Sequence, residues 1–292
     1  MVDLTNPYTY VPVVLVILAP VIGGLLMGID RKLTARMQSR MGPPITQPFY
    51  DAIKLWGKEP FIASKIQPVL AFGYFGFSLA AFALLAFGQD ILLLIFTMAI
   101  ADLCLIVAAF NSKSTYSNLG ARRELLGMMS YEPVLLLAAI SISFVTGNFM
   151  VGGIFQFETP LLTILPLTFL AMIPVLVIDM KKSPFDVSAS SHAHQELVRG
   201  IYTEFSGYTL AMVELGHWTR VALLLGFMSL FWAPNLIIGT ALAFMLFFIV
   251  LVIDNSYPRL DWKTMVKTTW VVGFLLILAN IVGLVARLVI FS

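Results

Sequence analysis

Long apolar runs, separated by loops of alternating charge, set the terms on which this sequence can fold. A helix needs about 20 apolar residues to cross the hydrocarbon layer of a bilayer. Runs of that order occur at 11–29, 68–87, 91–110, 126–146, 161–178, 207–231, 236–253 and 268–290. In lipid each backbone N–H and C=O must find its partner inside the segment, so such runs fold as helices. The expectation is an all-α polytopic membrane protein of about eight transmembrane helices, a single membrane domain over 1–292. A hydrophobic fraction of 59% against 12% charged residues agrees, since soluble domains carry about twice that charge.

The loops fix the expected orientation. Of the 18 basic residues, 16 fall in loops one, three, five and seven, from Arg31 in the first to Lys267 in the last, and none in loops two, four and six. The positive-inside bias then puts the odd-numbered loops in the cytoplasm and, with an even number of spans, both termini outside. The chain is expected to be multi-pass in the cell (plasma) membrane. Asp3, Asn6 and Pro7 stand where a signal peptide would need a basic region, so the first helix is expected to stay as an anchor. No repeat or inverted repeat is visible, which argues against a secondary transporter.

Several chemistries are excluded. One cysteine, Cys104, cannot build a disulfide framework, a CxxC site or an iron–sulfur cluster. A net charge of +2 without basic–aromatic interleaving gives no nucleic-acid site. There is no Gly-rich phosphate loop, nucleophile elbow or HExxH. His192 and His194 form an H-x-H pair lacking a third ligand, which reads as a solvated or proton-relay loop rather than a metal site.

Between the first two spans lies a polar insert, 30–67, rich in proline and charge. Phe49, Ile53 and Trp56 recur there at helical spacing, Asp51, Lys54 and Lys58 fall elsewhere on the wheel, and Pro48 suits a first helical turn. The pattern predicts a short amphipathic helix at the cytoplasmic interface. Gly42-Pro43-Pro44 sets the chain direction before it, and a fixed angle suits docking against another protein.

Ionisable residues inside spans are costly and default to a functional reading. Asp102 lies within the third span, and Glu214, His217 and Arg220 can share one face of the sixth. Glu132 precedes Pro133 near the start of the fourth, where a freed carbonyl can help hold water. Asp179, Asp186, Glu196 and Glu204 crowd into loop five, with Arg122, Arg123, Lys181 and Lys182 as countercharges. Burial raises a carboxylate pKa and a nearby cation lowers it, so moving a countercharge switches proton affinity without covalent chemistry. The bland alternative is that Glu214 and Arg220 merely pair across two turns or with other helices, and that Asp102 merely bonds a neighbouring backbone.

"RMQSRMGPPITQPFYDAIKLWGKE" resembles the first cytoplasmic loop of the membrane subunit shared by complex I (the H subunit of NADH–quinone oxidoreductase) and the energy-converting NiFe hydrogenases. "GARRELLGMMSYEP", "IDMKKSPFD", "QELVRGIYTEFSG" and "YPRLDW" are similar to later motifs of that family, in the same order. Complex I members carry a longer first loop. The direct step from Gly42-Pro43-Pro44 to Gln47-Pro48 resembles the Ech-type hydrogenase branch.

The resemblance implies a non-catalytic subunit that anchors a redox module and couples its electron flow to H⁺ or Na⁺ translocation. Implied partners are a NiFe large subunit, an Fe–S small subunit, a ferredoxin-like subunit and an antiporter-like membrane subunit, besides the lipid bilayer. No cofactor is expected in this chain; the NiFe centre and Fe–S clusters belong to partner subunits. Glu132 matches the acid of the SYE motif and Arg123 the arginine upstream of it. Asp179 and Lys182 stand before PFD, whose acid is Asp186, and Glu196 and Glu204 match the acids of two further motifs. A Glu usual in the next helix falls at or near His217, one turn after Glu214, and "VSASSHAH" replaces a shorter, more acidic loop. With Asp102 these are the expected coupling residues. Arg36, Arg40, Gly42, Pro43, Pro44, Gln47, Pro48, Asp51 and Lys54 are expected to dock the hydrophilic arm. The alternatives are a quinone-site component of complex I and an independent cation-coupled transporter.

Overall fold

The structure, a computed structural model, describes residues 7–186, 188 and 199–291. Seven helices among them are long and apolar enough to span a membrane. They are α1 (Pro7–Met37), α3 (Gln67–Ala86), α4 (Ile91–Phe110), α5 (Thr115–Thr146), α9 (Gly207–Ser229), α10 (Leu236–Ser256) and α11 (Trp262–Phe291). Between them lie α2 (Gln47–Trp56), α6 (Val151–Phe155), α7 (Leu161–Ile164) and α8 (Pro166–Asp179). The protein is an all-α polytopic membrane protein. Several helices overrun their apolar runs, α1 by carrying on through Arg31, Lys32 and Arg36. Lysine and arginine are good helix formers, so nothing stops the helix where the lipid ends.

The expected fifth span, 161–178, is split into α7 and α8, leaving an apolar helix of 14 residues. Pro166 is the cause: it lacks an N–H and biases Leu165 away from helical geometry, and Leu165 sits at φ −117°, ψ 49°. Asn280 of α11 closes the break. Its Oδ1 accepts from Leu167 N–H at 3.0 Å and its Nδ2 donates to Ile164 O at 3.0 Å.

The described residues form two compact units. The first takes in 7–87, 96–125, 188 and 199–223, and the second 88–95, 126–186 and 224–291. In the first, small residues let backbones meet, as membrane helices without a hydrophobic drive to associate require. A Cβ on Gly23 would lie 1.9 Å from Trp218 O, which puts α9 directly on α1. Gly28 receives Ile45 O in the same way, so the 38–46 connection lies on α1. Tyr74, wholly buried on α3, fills the space over Gly216 of α9.

In the second unit a single antiparallel bridge, Asp90 to Met150, ties the start of α4 to the start of α6 through Ile91 N–H to Phe149 O (2.9 Å) and Val151 N–H to Gln89 O (3.0 Å). Asp90 Oδ1 caps α4 by accepting from Leu92 N–H at 2.7 Å. α8 packs against α10 and α11, and Phe169 meets Phe231 edge-on at 5.2 Å. Apolar side chains left outside, such as Ile17, Leu275 and Val282, suit contact with lipid tails.

Gly23→Ala should lower thermal stability by about 1–3 kcal/mol, because the methyl meets backbone rather than a movable side chain. Gly76→Ala, with nothing within 4 Å, should be neutral or stabilise by about 0.5–1 kcal/mol. Unfolding in detergent, followed by a thiol-independent fluorescence probe, compares the two.

Candidate functional site

The amphipathic helix predicted in the insert is α2, opened by Pro48 and closed at Gly57. Its buried face differs from the predicted stripe. Pro48 and Ala52 are buried, Phe49 turns inward to meet Trp218 edge-on at 5.5 Å, and Tyr50, Ile53 and Trp56 are more than half exposed. Gly24 of α1 leaves the room that Phe49 enters: a Cβ there would strike the Phe49 and Trp218 rings.

Arg31 at the end of α1 holds α2 through Asp51 at 2.7 Å, and Gln47 Nε2 donates to the same carboxylate at 3.1 Å. Burial pulls the Asp51 pKa up, but these hydrogen bonds and the charges of Arg31 and Lys54 outweigh it and hold it below the ordinary carboxylate range. Gly42 packs on Lys32 and Ala35, which fixes the turn into Pro43 and Pro44. Arg36, Arg40, Pro44 and Lys54 are exposed or half-buried around this frame.

Within the same unit, Asp102 of α4 and Arg220 of α9 form a buried ion pair, each side chain 4% exposed, and Arg220 Nη1 also lies 3.5 Å from Met98 O. The charge predicted to be costly is met by a countercharge from another helix, which sequence spacing does not show. Glu214 is half-buried and His217 buried on the helix that supplies Arg220. Arg123, on the part of α5 that belongs to this unit, is half-buried. Glu204 is half-buried, three residues before α9 begins.

The second unit holds Glu132, Asp179, Lys182 and Asp186. Pro133 removes the N–H that would bind Met129 O, and Trp270 Nε1 donates to that carbonyl at 3.4 Å. Asp179 is buried at the end of α8. Lys182 Nζ meets Asp254 Oδ2 at 3.2 Å, and Ser183 N–H donates to Asp254 Oδ1 at 2.9 Å. Arg259 pairs with Asp186. Burial raises the Asp186 pKa, aided by the charge of Asp254 and opposed by Arg259, with a net upward shift.

Sequence reasoning missed Asp254 and Arg259 as site residues, although Arg259 lies within the YPRLDW stretch and Asp254 just before it. Asp254 is an acid in the last turn of an apolar helix, the signal that could have found it. Glu196, His192 and His194 lie outside the described residues. Among the described residues no group of three His, Cys, Asp or Glu side chains could hold a metal ion.

A family model described as NADH dehydrogenase matches residues 9–285. The chain belongs to that family. The NADH-quinone oxidoreductase H subunit of Ehrlichia ruminantium (strain Gardel) is 28% identical over 313 residues, covering 89% of this chain and 84% of the relative. The H subunit of Rickettsia prowazekii (strain Madrid E) is 32% identical over 218 residues, covering 66% of this chain and 63% of its own. Among solved structures, a chain from the membrane-bound sulfane sulfur reductase (MBS), an archaeal respiratory membrane complex, superposes with a TM-score of 0.84 at 24% identity. It covers 94% of this chain and 100% of the other. At that identity the likeness speaks for the fold. This member of the NADH dehydrogenase family is therefore a membrane-spanning homologue of the H subunit.

Arg220→Met should cost about 3–5 kcal/mol, because it strands the Asp102 carboxylate in a low-dielectric site. The double variant Asp102→Leu, Arg220→Met should recover most of that loss. A double-mutant cycle on detergent-phase unfolding reads the coupling, and additive effects would contradict the pair.

Proposed function

We propose that this subunit anchors the hydrophilic module of an energy-converting hydrogenase and couples ferredoxin-linked hydrogen turnover to H⁺ or Na⁺ translocation. The observation that carries the reading is the compact first loop. Gly42-Pro43-Pro44 leads straight to Gln47-Pro48, and Gly28, Gly42 and the Arg31–Asp51 pair set α2 at one angle against α1. That geometry leaves Tyr50, Ile53, Lys54 and Trp56 outward, an apolar and basic face suited to a protein partner. A loop this short lacks the extra residues that frame a quinone pocket in complex I. On the proposed orientation, the odd-numbered loops and α2 face the cytoplasm and both termini face outside.

Electrons would pass from reduced ferredoxin through Fe–S clusters to the NiFe centre in the partner subunits, where two protons and two electrons give hydrogen. This chain's donor set does not fit either group: its one cysteine, Cys104, sits in α4 beside Gly73. Its own part is to hold protons or Na⁺ and to respond to the docked module. Glu132 and Glu204 would carry that response, their ion affinity set by burial and by the position of neighbouring cations. An antiporter-like membrane subunit would then complete the ion path.

A second reading has specific support. The structural neighbour is a respiratory complex named for sulfane sulfur reduction, and it shares the full length of its chain with this fold. The same membrane protein then serves a module with a sulfur acceptor.

Nickel in the complex that co-purifies after mild solubilisation separates these readings. About one nickel per complex is expected by comparison with one NiFe centre. A nickel-free complex that reduces polysulfide favours the sulfur reading, and one that reduces quinone returns the chain to complex I. A chain that purifies alone and transports a cation would overturn all three.

Glu132→Gln and Glu204→Gln should each lower the number of ions moved per electron several-fold in an assembled complex. Proton or sodium uptake into inverted vesicles measures it, and unchanged ratios in both variants would sink the coupling role.

A further inference from the structure

The first loop and the segment carrying Glu204 are fastened to each other by several polar contacts. Gln67, wholly buried at the start of α3, uses both ends of its amide: Oε1 accepts from Ala63 N–H at 3.2 Å and Nε2 donates to Glu204 O at 2.9 Å. Ser206 Oγ accepts from Phe61 N–H at 2.6 Å and lies 3.2 Å from Phe61 O, to which it can donate. Gly207 has φ +56°, and a Cβ there would lie 2.9 Å from both Lys58 O and Pro60 Cα. Backbone therefore presses on backbone at a position that only glycine fits. Thr209 Oγ1 ties the junction into α9 by donating to Ser206 O at 2.7 Å. Asn111 Nδ2 donates to Ser64 Oγ at 2.6 Å, fixing the same loop to the end of α4.

These contacts join segments about 140 residues apart in sequence, all within the first unit. They engage Glu204 through its main-chain carbonyl. A docked module that shifted residues 57–66 would carry the Glu204 backbone and the first turn of α9 with it, because no slack separates them. α9 in turn carries Glu214, His217 and Arg220, the last paired with Asp102.

We infer that Gln67 and Ser206 are positioning residues, which transmit displacement of the first loop to Glu204 and to α9. The inference rests on the coupling role proposed above. Neither residue touches a reacting group; each acts by fixing where an ionisable neighbour sits. Coupling carried this way needs a rigid link between the docking surface and the group whose ion affinity changes.

The test uses the whole complex in vesicles and reads ions moved per electron, which is normalised for turnover, together with the pH profile of that ratio. Ser206→Ala and Gln67→Ala should each lower the ratio about fivefold and move the profile toward that of Glu204→Gln. Ser206→Thr, which keeps the hydroxyl, should restore it. A wild-type ratio and profile in both alanine variants would overturn the inference, as would a loss in Ser206→Thr equal to that in Ser206→Ala. Should the alanine variants fail to assemble, a disulfide between Phe61→Cys and Ser206→Cys decides. Retained coupling under oxidation is expected of a junction that moves as one block, and coupling lost on oxidation and regained on reduction would overturn it. If the unaltered complex moves no ions, the coupling role itself fails, which is a separate result.

Discussion

Water is absent from the hydrocarbon layer, so a backbone polar group released there must be met by protein. That constraint explains where this chain departs from continuous helix. Pro166 breaks the expected fifth span, and both groups at the break are taken up by the Asn280 amide. Pro133 releases Met129 O, and the Trp270 indole takes it. In each case one polar or amphipathic side chain from α11 repairs a proline defect in another helix. A helix exposed elsewhere over much of its length is thereby anchored to α5 and α7–α8 in its own unit.

The same economy governs charge. Asp102 would be expensive in an apolar helix, and Arg220 neutralises it at the cost of burying a guanidinium that must also reach Met98 O. Such a pair is weak evidence for stability and stronger evidence for a defined register between α4 and α9, because only one sliding position of the two helices satisfies both groups. Gly216 of α9 admits Tyr74 of α3, and Gly73 of α3 meets Cys104 of α4, so α3 packs closely on both helices of the pair.

Much of this was legible in the sequence, and the unread part has a common cause. Apolar runs give helices because period and length are local properties, so α3, α4 and α10 fall within a few residues of expectation. The fate of 161–178 depended on Pro166 and on Asn280, more than 100 residues away, and no window includes both. For α2 the helical spacing was visible, yet of the expected stripe only Phe49 turns inward, over Gly24 of α1, while Ile53 and Trp56 stay outward. For the site, ionisable residues in apolar context were visible one by one. Their partners, Arg220 for Asp102, Asp254 for Lys182 and Arg259 for Asp186, come from other elements and are fixed only by the fold.

Two loop carboxylates, Asp51 and Asp186, show how differently the same pairing acts. Each is bound by an arginine, yet Asp51 is held below the ordinary carboxylate range and Asp186 above it. Burial is the largest influence on both. At Asp51, where the side chain is 42% exposed, Arg31, Gln47 and Lys54 overcome it; at Asp186, where it is 11% exposed, a single arginine works against burial and against the nearby Asp254. A lowered carboxyl stays charged across the neutral range and suits a fixed strut, the part Asp51 plays between α1 and α2. Around Asp186 stand two ion pairs, Lys182 with Asp254 in the last turn of α10 and Asp186 itself with Arg259 in the connection to α11. Loosening Arg259 would remove a hydrogen bond and a charge that both oppose burial, and so would raise the Asp186 pKa further.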